Sequence, residues 1–280
     1  FNYTDFLAPP GVTESVYRAM PTVAPRNEEG AFSDLTPVGN PLASIEYTMN
    51  DRNGQRTVGN VYADVFFLRD FTFRTSFGLD LNRSEGRNFS PIFFVSPTQQ
   101  SDDRSISVFT DYFRNVLWEN TLTYRRFFGN HSINVLGGVT MQDHRFESLG
   151  GGRIGVVGED PALWYLNSGE SEGMTNFNIA SEWGMLSYLA RVNYGLLDRY
   201  LFTVSLRADG SSRFGRENRY GYFPSFAAGW VVSDEPFMRD VRLFDNLKLR
   251  GSYGVIGNDK IGEYPSAATI SGNLNAVFGV

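Results

Sequence analysis

Tyr200-Leu201-Phe202-Thr203-Val204-Ser205-Leu206-Arg207-Ala208-Asp209 is the stretch that decides the fold. Tyr200, Phe202, Val204, Leu206 and Ala208 fall on one side, and Thr203, Ser205, Arg207 and Asp209 on the other. A period of two is the mark of an extended strand, whose successive side chains point to opposite faces. A helix would gather its apolar residues every three to four positions.

The same alternation recurs on both sides of this stretch. Upstream lie Leu186, Tyr188, Ala190, Val192 and Tyr194; then Ile133, Val135, Val139 and Met141 opposite Asn134, Thr140 and Gln142. Val116, Trp118, Leu122 and Tyr124 stand opposite Glu119, Thr121, Thr123 and Arg125. Phe71, Phe73, Phe77, Leu79 and Leu81 stand opposite Thr72, Arg74, Ser76, Asp80 and Asn82. Val61, Ala63, Val65 and Phe67 oppose Tyr62 and Asp64, and downstream runs start near Phe226 and Leu247. The pattern predicts about eight amphipathic strands, several longer than the five to six residues usual in soluble sheets.

The connections alternate in length. Leu68-Arg69-Asp70, Gly129-Asn130 and Asp198-Arg199 read as tight hairpin turns, while residues 86–104, 148–181 and 214–221 read as long polar loops. Residues 235–246 read as a longer turn on the short-turn side, with about one turn of helix. Residues 1–50 lack periodicity, carry Pro9, Pro10, Pro21, Pro25, Pro37 and Pro41, and read mostly as an extracellular loop. Short turns at one end and long loops at the other are the habit of bacterial outer-membrane barrels.

Composition narrows the class. The 280 residues carry 25 Lys and Arg against 31 Asp and Glu, a net charge of -6, with the basic residues dispersed. That balance excludes a nucleic-acid partner, which needs a basic face. No cysteine is present, so there is no disulfide framework and no Cys-bearing metal site. Aromatic residues make up 15%, yet mean hydropathy is only -0.27. A transmembrane barrel produces that combination, because only every second side chain meets lipid while aromatics collect at the interfaces. No run of about 18 apolar residues offers a transmembrane helix. The chain opens on Phe1 without a leader and stops at Val280, and both ends read as cuts.

A soluble sandwich also alternates, so three further features favour the membrane. Almost no charge intrudes on the apolar face, where Arg or Lys at the midplane costs roughly 2–4 kcal/mol. Tyr124, Phe127, Tyr194 and Tyr200 sit beside the tight turns, where an aromatic girdle belongs. Strands of about ten tilted residues span the apolar band of about 25 Å. The reading is all-β: a partial antiparallel up-and-down transmembrane β-barrel, one region over residues 1–280. Two alternatives stay open: an outer-membrane barrel that does not transport, such as an adhesin or autotransporter translocator, and a soluble carbohydrate-binding β-sandwich.

Several consecutive motifs carry a family resemblance. They are Ser187-Tyr188-Leu189-Ala190-Arg191-Val192-Asn193-Tyr194, Asp198-Arg199-Tyr200-Leu201, Arg207-Ala208-Asp209-Gly210-Ser211-Ser212-Arg213-Phe214-Gly215 and Arg219-Tyr220-Gly221-Tyr222-Phe223-Pro224-Ser225. With Asn40-Pro41-Leu42-Ala43, Trp118-Glu119-Asn120-Thr121, Leu163-Trp164-Tyr165-Leu166-Asn167 and Leu247-Lys248-Leu249-Arg250-Gly251 in the same order, the chain resembles the SusC/RagA-type TonB-linked outer-membrane proteins of Bacteroidota. The resemblance covers roughly residues 38–265. It implies a large barrel with an N-terminal plug, energy from TonB-ExbB-ExbD, a SusD-like surface lipoprotein as lid, and oligosaccharide or peptide substrates. Neither plug nor TonB box falls within these residues.

The face opposite the apolar one supplies the expected lumen lining: Arg74, Glu119, Arg125, Arg191, Arg207 and Asp209. Arg207 and Asp209 read first as a pair within the wall, with Gly210 permitting a bend, and second as contacts to plug or substrate. Trp164 and Tyr165 are loop candidates for stacking on a sugar or anchoring a lid, or for pinning the loop by burial. No catalytic set is expected. His131 reads as solvent-facing, His144 lies near the outer end of a strand, and no nucleophile elbow is present. Gly150-Gly151-Gly152-Arg153-Ile154-Gly155 lacks the Lys-Ser/Thr of a phosphate loop and reads as a flexible loop. Asp102-Asp103 falls short of a calcium shell. No cofactor and no metal are expected.

Overall fold

The computed structural model describes residues 2–5, 12–19, 21–238 and 244–262. Eleven strands are present among them: β1 (Asn2–Asp5), β2 (Met49–Phe67), β3 (Phe71–Ser90), β4 (Phe93–Ser96), β5 (Gln99–Ser101), β6 (Ser105–Phe128), β7 (His131–Ile154), β8 (Thr175–Leu196), β9 (Tyr200–Ser211), β10 (Tyr220–Val231) and β11 (Lys248–Gly254). Nine form one sheet in the order β1-β2-β3-β6-β7-β8-β9-β10-β11, and β4 and β5 form a separate hairpin. Strands that follow one another lie side by side, as an up-and-down meander requires. Two short helices, α1 (Val12–Arg18) and α2 (Pro41–Tyr47), precede β2. No helix among the described residues is long and apolar enough to cross a membrane.

The alternation located every long strand, but the strands run further than it shows. β6 and β7 are 24 residues each, well beyond the ten or so that an apolar band needs. All three expected loops are therefore partly sheet, the last because Tyr220 and Gly221 open β10. Residues 86–90 belong to β3, and the glycine run read as a flexible loop is the end of β7. Packing explains the correction: a Cβ on Gly150 would lie 2.6 Å from the Phe177 ring and 2.7 Å from the Val108 carbonyl oxygen. Neighbouring strands come too close there for a side chain. The first 50 residues also hold more structure than a loop, with both helices and β1, which pairs with Arg52–Gln55 of β2. The turn at 235–246 begins with a 3-10 turn at Pro236–Met238, while residues 239–243 lie outside the described residues.

The chain forms two compact units. One comprises Phe1–Thr57, Asp80–Arg114 and Arg145–Ser181. It holds a small buried cluster of Phe89, Ile106 and Val156, flanked by Met49, Val108, Trp164 and Leu166. The other comprises Val58–Leu79, Asn115–His144 and Glu182–Val280 and carries the tight turns. Two of those turns use left-handed residues without glycine: Leu68 (φ 48°) and Arg69 (φ 60°), and Leu197 (φ 57°) and Asp198 (φ 54°). Each turn has three residues between its strands, and the paired positive φ values at its first two are those of a type I′ turn, whose twist follows that of the strands.

In this second unit burial runs opposite to that of a water-soluble protein. On β9 the apolar Phe202, Val204 and Leu206 are 40%, 52% and 47% exposed, while Thr203, Ser205 and Arg207 between them are half-buried. The register extends the pattern sideways. Val192, Val204, Phe226 and Tyr253 stand in one row across β8 to β11, and Ala190, Leu206 and Pro224 in the next. Prolines aside, buried apolar side chains among the described residues are confined to Val12, Ala43, Phe89, Ile106, Val156, Val231 and Val232. A sandwich would have covered the apolar face with a second sheet.

Candidate functional site

The opposite face of the sheet carries the charges, and several of them are paired. In the second unit Arg74 grips Asp64 with two bonds of 2.6 Å each and lies 4.8 Å from the Tyr62 ring centre. Beside them Asn60 and Ser76 exchange hydrogen bonds of 3.0 and 3.2 Å. Arg207 meets Asp209 at 2.7 Å and donates to Ser187 Oγ at 3.0 Å. The register sets Asp209 opposite Ser187, and Arg191 opposite Ser205. Glu119 and Arg125 alternate with the apolar Trp118, Leu122 and Tyr124 on β6, on the same side as Asn115, which accepts from Gln142 Nε2 at 3.0 Å. In the first unit Arg56 binds Asp80 in a bidentate pair at 2.9 and 2.8 Å. Asp111 there accepts from Arg52 at 3.2 Å and from Ser148 at 2.7 Å.

This arrangement follows from strand chemistry. Arginine's planar fork matches a carboxylate in the neighbouring strand, as in Arg74–Asp64 and Arg56–Asp80, or two residues along the same strand, as in Arg207–Asp209. The pairs are partly exposed, so each contributes about 1 kcal/mol or less. Where they form, the wall is polar and wettable without a net charge. Thr75, the one hydroxyl among the apolar residues of β3, accepts from Trp118 Nε1 at 3.1 Å.

The turn end of the second unit is ringed by aromatics. Ring contacts link Phe67 to Phe71 and Phe71 to Tyr124, then Phe128 to His131 and His131 to Tyr194, with Trp230 against Phe237. His131 is thus half-buried rather than solvent-facing, and its Nδ1 lies 2.7 Å from the Tyr194 hydroxyl. His144 stacks on Trp183 at 5.2 Å. Glu235 is buried beside this ring. It accepts from Tyr200 Oη at 2.6 Å and Trp230 Nε1 at 3.0 Å, with Arg199 at 3.5 Å. The Tyr200 hydroxyl, then the Trp230 indole and the Arg199 charge, hold its carboxyl below the ordinary range.

The two loop candidates separate. Trp164 stacks on Phe89 at 4.8 Å against the buried cluster of the first unit, so it pins the loop. Tyr165 is 55% exposed, with the Arg87 guanidinium 4.7 Å from its ring centre. No group of three or more metal-binding side chains occurs among the described residues. Sequence reasoning did not find Asp64, Arg56 or Asp111 as partners. Their alternation was visible, but pairing depends on strand register, which a single strand does not reveal.

A meander whose apolar face stands open and whose polar face carries paired charges is the wall of an outer-membrane β-barrel. No family model matches the chain. It is 30% identical over 271 residues to TonB-dependent receptor P3 of Formosa agariphila, covering 96% of this chain and 27% of that relative. It is 32% identical over 229 residues to TonB-dependent receptor SusC of Bacteroides thetaiotaomicron, covering 80% and 22%. In fold it is similar to the RagAB peptide importer in its open-open state, with a TM-score of 0.73 at 21% identity, covering 88% of this chain and 28% of that one. By sequence and fold the chain belongs with the SusC/RagA-type TonB-dependent receptors, as a stretch of their barrel in the outer membrane. It spans about a quarter of the length of the curated relatives it matches.

Proposed function

We propose that this chain is barrel wall in a TonB-dependent importer that carries oligosaccharides or peptides across the outer membrane with a SusD-like lipoprotein. The single observation behind this reading is the inverted burial of β9: apolar residues open for lipid, polar residues turned to the other side. On that reading Arg74, Glu119, Arg125, Arg191, Arg207 and Asp209 line the passage. Pairing suits Arg74, Arg207 and Asp209 to it, because an uncompensated charge in a passage would hold an oppositely charged solute. On this reading the energy comes from TonB-ExbB-ExbD through a plug; the relatives' being TonB-dependent receptors supports the dependence on TonB. A β-barrel in lipid leaves no strand edge unpaired, so on this reading further strands pair with β11 and with the part of β2 that β1 leaves open.

The test is uptake by cells expressing the intact receptor. Labelled oligosaccharides and peptides are supplied with and without TonB. The importer reading expects uptake that stops when TonB is removed. Uptake that persists, or a receptor that fractionates away from the outer membrane, defeats it. That RagAB is a peptide importer supports keeping peptides among the substrates tested.

A further inference from the structure

The first unit has a cavity of about 850 Å³ on the side of the sheet where Arg87 and Phe89 project. Alternation along β3 sets those two residues opposite Ser84, which takes part in the Arg52–Asp111–Ser148 network. The cavity therefore stands across the sheet from the paired charges of that unit. Its size is that of a small-ligand site.

Its lining has a distinct chemistry. Tyr165 offers an exposed ring, with Arg87 over one face. Asn167 and Asn176 contribute planar amides, each with two donors and an acceptor oxygen, beside Asn53, whose Nδ2 donates to Asp51 Oδ1 at 3.3 Å. The nearest charges cancel: Asp51 and Glu85 against Arg87 and Arg153. Gly150, Gly151 and Gly152 leave part of the wall without side chains. A ring to stack on, a set of amides and no net charge fit a neutral ligand rich in hydroxyls. A peptide fits less well. Phe109, Leu149 and Met174 give the cleft an apolar stretch, but a peptide backbone would seek an open strand edge, and here β3, β6, β7 and β8 are paired to one another in the sheet.

We propose that this cleft is a saccharide-binding site on the outward side of the wall, apart from the passage. Only its position relative to the passage rests on the functional reading above; its ligand chemistry does not. The saccharide can come from a free glycan or from the sugar of lipopolysaccharide in the outer leaflet, since both present the same hydroxyl-bearing rings.

The experiment uses the intact receptor in detergent, probed with an array of neutral oligosaccharides, with purified lipopolysaccharide and with a pool of short peptides. Saturable binding to a saccharide is expected, weakened at least about tenfold by Tyr165→Ala and much less by Tyr165→Phe, which keeps the ring. Asn167→Ala, on the exposed loop, is expected to weaken it too. Binding to array glycans assigns the free-glycan source, and binding to lipopolysaccharide alone assigns the outer leaflet. Binding to peptides only, binding that ignores both Tyr165→Ala and Asn167→Ala, or no saccharide binding overturns the proposal. Binding is measured on purified receptor, so loss of TonB-dependent uptake in cells leaves this readout unchanged, and the two failures are separable.

Discussion

Asn40 and Gln99 hold each other by a reciprocal pair of hydrogen bonds: Asn40 N–H donates to Gln99 Oε1 at 2.6 Å, and Gln99 Nε2 donates to the Asn40 carbonyl at 2.9 Å. The Asn40 side chain is fully buried and works in the other direction. Its Nδ2 donates to the carbonyls of Pro25 at 2.6 Å and Ser33 at 3.0 Å, and its Oδ1 caps α2 at Leu42 N and Ala43 N. One residue thereby ties the proline-rich segment, α2 and the β4–β5 hairpin together. Asn40→Asp keeps the cap but turns a carboxylate toward two carbonyls. Asn40→Ala loses both. Either substitution is expected to cost about 2–4 kcal/mol of local stability. Limited proteolysis of the intact receptor checks it: cleavage near residues 25–33 should appear in the variants and be absent from the parent.

The lipid-facing assignment is tested by neighbouring positions on one strand. Val204→Arg sets a charge among the apolar residues of β9, at a cost of about 2–4 kcal/mol if that face meets bilayer. Ser205→Arg sets the same charge one position on, beside Ser225 on the polar face, where water can solvate it. Folding into lipid vesicles under urea should therefore fail much earlier for the first variant than for the second. Equal behaviour would mean that the face is covered by protein.

The Arg74–Asp64 pair contributes through its coupling rather than through either charge alone. Both side chains are partly solvent-accessible, so the coupling is expected near 1 kcal/mol or below. A double-mutant cycle with Asp64→Asn and Arg74→Gln measures it by thermal unfolding in detergent. Each single variant should lose more than half of what the double variant loses, because it leaves one charge facing an unmatched partner. Strict additivity would show that the bidentate geometry adds nothing.

Glu235 carries the pH dependence of the turn end. Its carboxyl titrates below the ordinary value because the Tyr200 hydroxyl, foremost, and the Trp230 indole donate to the ionised form. A depressed folded-state value means that the bonds are at full strength above the unfolded value near 4.5 and are lost as pH falls through the lower, folded one. The melting temperature of the intact receptor should thus drop more steeply below about pH 4.5 than that of Glu235→Gln, which has no carboxyl to protonate. Parallel profiles would remove Glu235 from the account.

Much of this wall was legible in the sequence, because period-two alternation is local and needs no partner. Tyr200 to Asp209 gives its two faces without any knowledge of β8 or β10. What was not legible depends on the third dimension. Arg74 was visible as polar, but its partner Asp64 is fixed by the register across a turn. That turn, centred on Leu68 and Arg69, lacks the Asn-Gly signal that marks left-handed pairs. His131 looked exposed because it follows Asn130, yet the neighbouring strand brings Tyr194 to it. Trp164 and Tyr165, adjacent in sequence, part ways only because Phe89 stands where one of them can stack.

The glycines of β7 show the same division between local signal and contact, and they supply a paired test. Gly137 has nothing within 4 Å of the place a Cβ would take, whereas at Gly150 that Cβ meets the Phe177 ring at 2.6 Å and the Val108 carbonyl oxygen at 2.7 Å. A flexible ring can swing aside, but the backbone oxygen belongs to β6 and moves only with the strand. Gly137→Ala should therefore be neutral or stabilising by about 0.5–1 kcal/mol, since alanine restricts the unfolded chain more than glycine does. Gly150→Ala should be destabilising by about 1–3 kcal/mol, the range for overpacking a close contact. Hydrogen exchange in residues 148–154 of the intact receptor reads the difference: faster in Gly150→Ala, unchanged in Gly137→Ala. Were the two variants alike, the close approach of β6, β7 and β8 at the glycine run would be wrong, and the flexible loop read from sequence would return in its place.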